Sequence, residues 1–244
     1  MPTLRTTRLT TATTHDPLSA AGDRWLPPLL LAGYALLWVA AAVRPATRDG
    51  WLLENVLPLS ILGLLGGMYR RWHLSDASYL CVALFLALHA AGAHYGYAEV
   101  PVAPWLREWL AGGGGRNPYD RVVHFAFGLC WFYPTREALF YNVNRRGTAT
   151  LFAVAAVLGA SAIYEILEWA AAQVVAPATA ASFVGAQGDP WDAQQDMALA
   201  WAGALVAAGL TAAASRAAHR RRGGAPIAAR HVLPAAALSS PSET

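Results

Sequence analysis

Six long apolar stretches run along the chain, separated by polar connections. Each approaches the roughly 20 residues that a helix needs to cross the hydrocarbon core of a bilayer. The stretches are 25–43, 51–68, 77–95, 121–141, 148–175 and 193–214. This pattern predicts an all-α membrane bundle with about six transmembrane helices. Pro134, Arg136 and Glu137 interrupt the fourth stretch, which indicates a helix that is kinked or oblique near its second end.

The polar ends of the chain and its arginines predict how the bundle sits in the membrane. We expect a flexible cytoplasmic tail at 1–24, the six-helix domain at 25–215 and a disordered cytoplasmic tail at 216–244. All 18 basic residues are arginine. With the N-terminus inside, 13 of them fall on the inner side and 5 on the outer side. Because cytoplasmic loops are enriched in positive charge, both termini are predicted to be cytoplasmic.

The composition narrows the class of protein further. Hydrophobic residues make up 56% of the chain and charged residues only 14%, which excludes an ordinary soluble domain. The bias toward Ala, Gly, Pro and Arg indicates a GC-rich bacterial genome. The net charge of +3 is spread over loops and tails, so we expect membrane lipids and no nucleic acid as partners. Cys81 and Cys130 lie in apolar runs and are interpreted as buried structural thiols.

A longer connection between the third and fourth stretches contains a short amphipathic segment. Trp105–Leu110 combines bulky apolar residues with a central pair of charged residues, which predicts a short helix. Such a helix lies on the membrane surface or acts as a lid over a site beneath it. The sequence leaves both alternatives open.

Ionisable residues gather at one end of the predicted bundle. Successive spans alternate in direction, so the end of the third, the start of the fourth, the end of the fifth and the start of the sixth share one membrane face, predicted to be the outer one. An ionisable side chain in hydrocarbon costs roughly 2.5 to 3.5 kcal/mol, so such residues need partners, a cation or water. The residues at this face are His89, His94, Asp120, His124, Glu165, Glu168, Asp189, Asp192 and Asp196.

Their spacing suggests roles in catalysis and metal binding. Asp120 and His124 are four residues apart, so the carboxylate can orient the imidazole. A set of carboxylates and imidazoles suits a divalent metal such as Zn, Mn, Fe or Mg. The catalytic candidates are Asp120, His124, Glu165 and Glu168. The metal-ligand candidates are His94, His124, Glu165, Glu168, Asp189, Asp192 and Asp196.

Structural explanations compete with these roles at several positions. Asp189 and Asp192 precede or open the last predicted helix, where helix caps favour acidic residues. His89 fits a core histidine whose ring nitrogens are both hydrogen-bonded. Glu165 and Glu168 lie more than one turn from the end of their helix, so neither capping nor snorkelling explains them readily.

Three motifs carry a resemblance to a known family. They are 117–128 (NPYDRVVHFAFG), 164–169 (YEILEW) and 185–197 (GAQGDPWDAQQDM). In this order they resemble the YjdF-like family of bacterial inner-membrane proteins, over roughly residues 29–215. The resemblance implies a polytopic membrane protein and supplies no reaction. The order D-x-x-x-H, E, D-x-x-x-D is also similar in outline to the VanZ-like membrane proteins, which are linked to glycopeptide resistance.

The sequence therefore supports three hypotheses on function. The first is a divalent-metal site near the outer face that acts on an envelope or lipid-linked substrate. The second is transport of a proton, a metal ion or a small solute, with the same acids as exchange groups. The third is a structural scaffold whose polar cluster only holds helices together.

Overall fold

The computed structural model describes residues 25–69, 73–111, 115–143 and 145–223. These residues form nine α-helices and one short 3-10 helix, Tyr97–Glu99. The α-helices are α1 (Leu26–Ala41), α2 (Arg48–Glu54), α3 (Val56–Tyr69), α4 (Asp76–Tyr95), α5 (Pro104–Ala111), α6 (Tyr119–Phe140), α7 (Arg146–Ala172), α8 (Pro177–Val184) and α9 (Asp192–Gly223).

This architecture confirms the all-α membrane bundle. Four helical segments are long and apolar enough to cross a membrane: Arg48–Tyr69, Asp76–Tyr95, Arg146–Ala172 and Asp192–Arg221. The apolar helix α1 is shorter, with 16 residues. Helix α6 has 22 residues and continues through Pro134. Together these six segments agree with the six predicted spans.

Close packing of α6 against α9 forms the centre of the bundle. Gly128 of α6 faces the backbone of Ala200 and Ala204, and Gly203 of α9 faces the backbone of Phe125 and Leu129. A Cβ atom at either glycine would overlap these backbone atoms. Small residues let two membrane helices approach at backbone distance, so the glycines determine this interface.

A proline separates α2 from α3 within one membrane-crossing segment. Pro58 has no N–H and cannot bond the carbonyl of Glu54 four residues earlier. His89 of α4 contacts that carbonyl through Nε2 at 2.8 Å. Asn55, at the junction, bonds the Trp51 carbonyl at 2.6 Å. The break in the helix is therefore compensated by polar side chains, as a membrane interior requires.

At the opposite end of the bundle, Glu137 of α6 anchors the start of α4. Its carboxylate accepts hydrogen bonds from the Ser75 backbone N–H at 2.8 Å and the Ser75 hydroxyl at 2.9 Å. The Ser78 hydroxyl is a third donor, at 2.5 Å. Ser75 is also the N-cap of α4. The charged residues that interrupt the fourth apolar stretch thus include one that joins two helices.

Two short α-helices, α5 and α8, accompany the spanning helices in the described part of the chain. Helix α5 confirms the short helix predicted around Trp105–Leu110, and its Trp105 and Trp109 are exposed. Helix α8 follows α7 and was not predicted separately. The predicted tail 1–24 lies outside the described residues. Of the predicted tail 216–244, residues 216–223 continue α9 and the remainder lies outside the described residues.

Candidate functional site

A buried cluster of acids and one imidazole joins the ends of α6, α7 and α9. Asp120, His124 and Asp196 each offer a ligand atom, and these atoms lie within 4.8 Å of one another. His124 Nε2 is 3.6 Å from Asp120 Oδ1 and 3.5 Å from Glu165 Oε1. Three helices distant in sequence therefore place four ionisable side chains around one point.

The helical repeat explains this arrangement. Asp120 and His124 are one turn apart at the start of α6, so both side chains face the same neighbours. Helices α7 and α9 both pack against α6. The end of α7 brings Glu165 to that face, and the first turns of α9 bring Asp196.

Two carboxylate oxygens in the cluster lack hydrogen-bond partners. Glu165 Oε1 and Asp196 Oδ1 are buried and accept no hydrogen bond in the described part of the chain. Asp196 is only 2% exposed. An unpaired buried carboxylate oxygen is costly, so this cluster favours a cation or protons between its members.

Arg116 connects the cluster to the loop that precedes α9. Arg116 forms an ion pair with Asp192 and lies 3.8 Å from Asp120 Oδ2. Its guanidinium also donates to the Ala186 carbonyl at 2.5 Å. Asp192 is therefore paired within the protein, and Asp196 is the acid of α9 that reaches the cluster.

The loop before α9 is held by a second set of polar contacts. Arg121 pairs with Asp189 Oδ2 at 2.7 Å, and the Trp191 backbone N–H donates to Asp189 Oδ1 at 2.9 Å. The Trp191 hydrogen bond, followed by that from Gln195 and by Arg121, lowers the pKa of Asp189. The ionised form is thus favoured in the folded state, so this contribution to stability is present at neutral pH and lost as the pH falls through the lowered pKa. Asp189 anchors the loop rather than the cluster.

Two amide side chains add to this anchoring. The Asn117 backbone N–H donates to Gln187 Oε1 at 2.8 Å, and Gln187 Nε2 donates back to the Asn117 carbonyl at 3.1 Å. Asn117 is nearly fully buried, and its side chain bonds the carbonyls of Ala98 and Val100. The motif residues before α6 and before α9 therefore hold two loops together over the cluster.

Next to the cluster lies a chain of hydrogen-bonded side chains from α2, α4 and α7. The Tyr97 hydroxyl donates to His89 Nδ1 at 2.6 Å, which leaves His89 Nε2–H to donate to the Glu54 carbonyl. The Tyr164 hydroxyl contacts Glu54 Oε2 at 3.4 Å and shares a hydrogen bond with Glu168. The interpretation of His89 as a core histidine with both ring nitrogens satisfied is confirmed.

The structure thus distributes the sequence-derived candidates over four places. Asp120, His124, Glu165 and Asp196 share the cluster, and Glu168 lies in the adjacent network. Asp189 and Asp192 pair with arginines beside the cluster. His94 contacts the Ala41 carbonyl at 2.9 Å through Nδ1, at the connection of α1 to α2, and is not part of the cluster.

The sequence patterns did not identify Arg116, Tyr164 or Glu54 as residues in or beside the site. Arg116 lies four residues before Asp120, a spacing that could have indicated the contact. Glu54 is the single acid in its apolar stretch, so the sequence shows no partner for it. Its connection to Tyr164 depends on tertiary packing, which no spacing in the sequence reveals.

An apolar cavity of about 190 Å³ extends from the cluster into the bundle. His124, Tyr97 and Tyr164 line it at the cluster end. Its other lining residues are Leu57, Ile61, Leu64, Phe85, Val123, Phe127, Trp131, Ala160 and Ser161. The polar cluster is therefore continuous with a hydrophobic space between α3, α4, α6 and α7.

Comparison with known proteins places the chain in a family. Residues 26–217 match the model of the family DUF2238, described as a predicted membrane protein. The chain belongs to this family. It is also 37% identical over 189 residues to the inner membrane protein YjdF of Escherichia coli (strain K12), which covers 75% of this chain and 89% of that protein.

These findings confirm the resemblance to YjdF-like proteins and the assignment to the membrane. The relative is by name an inner membrane protein, in agreement with the apolar helices of this chain. No solved structure matches the chain. The family description states no activity, so a function must be argued from the geometry of the cluster.

Proposed function

We propose that the cluster of Asp120, His124, Glu165 and Asp196 binds a divalent metal ion and acts on an envelope or lipid-linked substrate. In this proposal the cluster faces the outer side of a bacterial inner membrane, with both termini in the cytoplasm. The observation that carries it is the convergence of three carboxylates on the imidazole of His124, with two buried carboxylate oxygens left unpaired among the described residues.

The distances suit a metal site. Zn–N and Zn–O bonds of about 2.0 to 2.2 Å in a tetrahedral site place neighbouring ligand atoms about 3.3 to 3.6 Å apart. His124 Nε2 lies 3.6 Å from Asp120 Oδ1 and 3.5 Å from Glu165 Oε1. Since a neutral imidazole nitrogen can donate one proton at most, a cation explains several facing oxygens better than a hydrogen bond.

The set of donors limits the choice of metal to ions that accept oxygen and imidazole ligands, which include Zn, Mn, Fe and Mg. A divalent cation in the cluster would act as a Lewis acid toward an oxygen of the substrate. Asp120 and His124 hold the cluster together from one face of α6. Tyr164 lies beside His124, with ring centroids 6.2 Å apart, and Tyr164 and Glu168 are the groups of the adjacent network that we assign to proton transfer.

Metal analysis tests this proposal directly. We expect the purified protein to retain one divalent ion per chain after dialysis, and Asp196→Asn to reduce its metal affinity by at least roughly 100-fold. The loss of a residue that only orients a metal ligand already costs about 10- to 100-fold. The measurement is elemental analysis with a competition titration against a chelator.

The matched control is Asp189→Asn, which removes a carboxylate from the loop and leaves the cluster intact. It should bind metal like the wild type. Equal metal content in the wild type and in Asp196→Asn would remove the proposal and favour the structural scaffold.

A further inference from the structure

We infer that the substrate of this site is a lipid phosphate whose hydrocarbon chain occupies the apolar cavity below His124. The phosphate end of this lipid is inferred from the proposed metal site, so this part rests on the proposed function. Its hydrocarbon chain is inferred from the cavity. The cavity is bounded by α3, α4, α6 and α7 and begins where the cluster ends. An occupant must therefore be polar at one end and apolar along the rest of its length.

The dimensions of the cavity fit a single chain. His124 and Trp131 line it seven residues apart on α6, and Leu57 and Leu64 line it seven residues apart on α3. Seven helical residues correspond to about 10 Å along a helix axis. The volume of about 190 Å³ exceeds the roughly 150 Å³ of a cavity that binds benzene. A linear segment of one hydrocarbon chain fits this space.

The cavity also contains a hydroxyl group without a partner near its cluster end. Ser161, which is 2% exposed, has a buried hydroxyl with no hydrogen-bond partner among the residues that the structure describes. Ser161 lines the cavity. It lies one turn from Glu165, so its hydroxyl is placed to donate to an acceptor oxygen where a lipid chain joins its head group. A hydrocarbon without oxygen atoms would leave this hydroxyl unsatisfied.

An unused donor beside the cluster points to an anionic head. Arg116 lies 3.8 Å from Asp120 Oδ2, and its buried Nε atom has no hydrogen-bond partner in the part of the chain that the structure describes. Guanidinium groups suit phosphate, and phosphate oxygens are ligands that divalent metals accept. A phosphate beside the metal would therefore satisfy both the cation and Arg116.

A lipid can reach the cavity from the side. In the part of the chain that the structure describes, α3 and α7 both line the cavity but do not pack extensively against each other. Both helices carry exposed apolar residues, including Leu64 on α3 and Ile163 on α7. A chain from the bilayer can thus enter between these two helices without crossing a polar surface.

Photocrosslinking with two lipid phosphates tests the inference. The full chain in nanodiscs is labelled with diazirine-tagged phosphatidic acid in one arm and with diazirine-tagged polyprenyl phosphate in the other. We expect one of the probes to label cavity residues of α3, α6 and α7, and the arm that succeeds identifies the chain type. Ala160→Phe, which fills the cavity, should weaken that labelling roughly tenfold, as expected when two methylene groups lose their burial.

The controls distinguish binding of the lipid's hydrocarbon chain from binding of the metal ion. Ala155→Phe adds the same ring at an exposed position of α7 outside the cavity and should label like the wild type. Ala160→Phe should keep its metal. Labelling that is unchanged in Ala160→Phe, or spread evenly over the lipid-facing surface, overturns the inference while leaving the metal site intact. Cavity labelling without any bound metal would instead contradict the proposed function alone.

Discussion

Gly203→Leu should prevent the bundle from assembling or lower its stability severely. Gly203 of α9 lies against the backbone of Phe125 and Leu129 of α6, where even a Cβ atom would overlap. A leucine would have to push two helices apart along the most extensive interface of the bundle. Overpacking in a well-packed core already costs about 1 to 3 kcal/mol, and here backbone atoms rather than flexible side chains must move. Unfolding in detergent, followed by circular dichroism, measures the loss.

The matched control is Gly209→Leu, six residues further along the same helix. Among the described residues, nothing lies within 4 Å of a Cβ atom placed at Gly209, so leucine should be tolerated. If Gly203→Leu and Gly209→Leu unfold at the same denaturant concentration, the close contact of α6 with α9 is not important for stability.

His89→Leu should destabilise the protein by about 2 to 6 kcal/mol. The substitution leaves two buried groups unpaired, the Glu54 carbonyl and the Tyr97 hydroxyl, and each unpaired group costs about 1 to 3 kcal/mol. Equilibrium unfolding of the purified variant gives the free energy.

Pro58→Ala provides an internal test of this explanation. Alanine restores the N–H that can bond the Glu54 carbonyl within the helix, so adding it to His89→Leu should recover part of the lost stability. Failure of Pro58→Ala to recover any stability would mean that the Glu54 carbonyl is not what His89 satisfies.

The transmembrane helices could be predicted from the sequence because each one buries its surface in the apolar interior of the bilayer. In a bilayer, a long apolar run has few alternatives to a helix, so the spans could be predicted from length and hydropathy alone. Helix α8 was missed because it is only eight residues long and follows α7 after a short turn. The break between α2 and α3 depends on His89 of α4, which bonds the Glu54 carbonyl that Pro58 leaves free, and this contact between helices is not visible in the sequence.

Some residues of the candidate site could be predicted from the sequence, and others could not. The i, i+4 spacing placed Asp120 beside His124, and alternation of the spans placed Glu165 and Asp196 at the same end. Spacing could not distinguish Asp192 from Asp196, because both begin α9 on a common face. Arg116 forms an ion pair with Asp192 through a tertiary contact, whereas Asp196 lies beside His124.

X-ray absorption spectroscopy of the metal-loaded protein tests the central claim most directly. The account predicts one imidazole ligand together with oxygen ligands, and loss of the imidazole contribution in His124→Gln but not in His94→Gln. An identical spectrum for the wild type and His124→Gln, or a wild-type protein that binds no divalent ion, would contradict it.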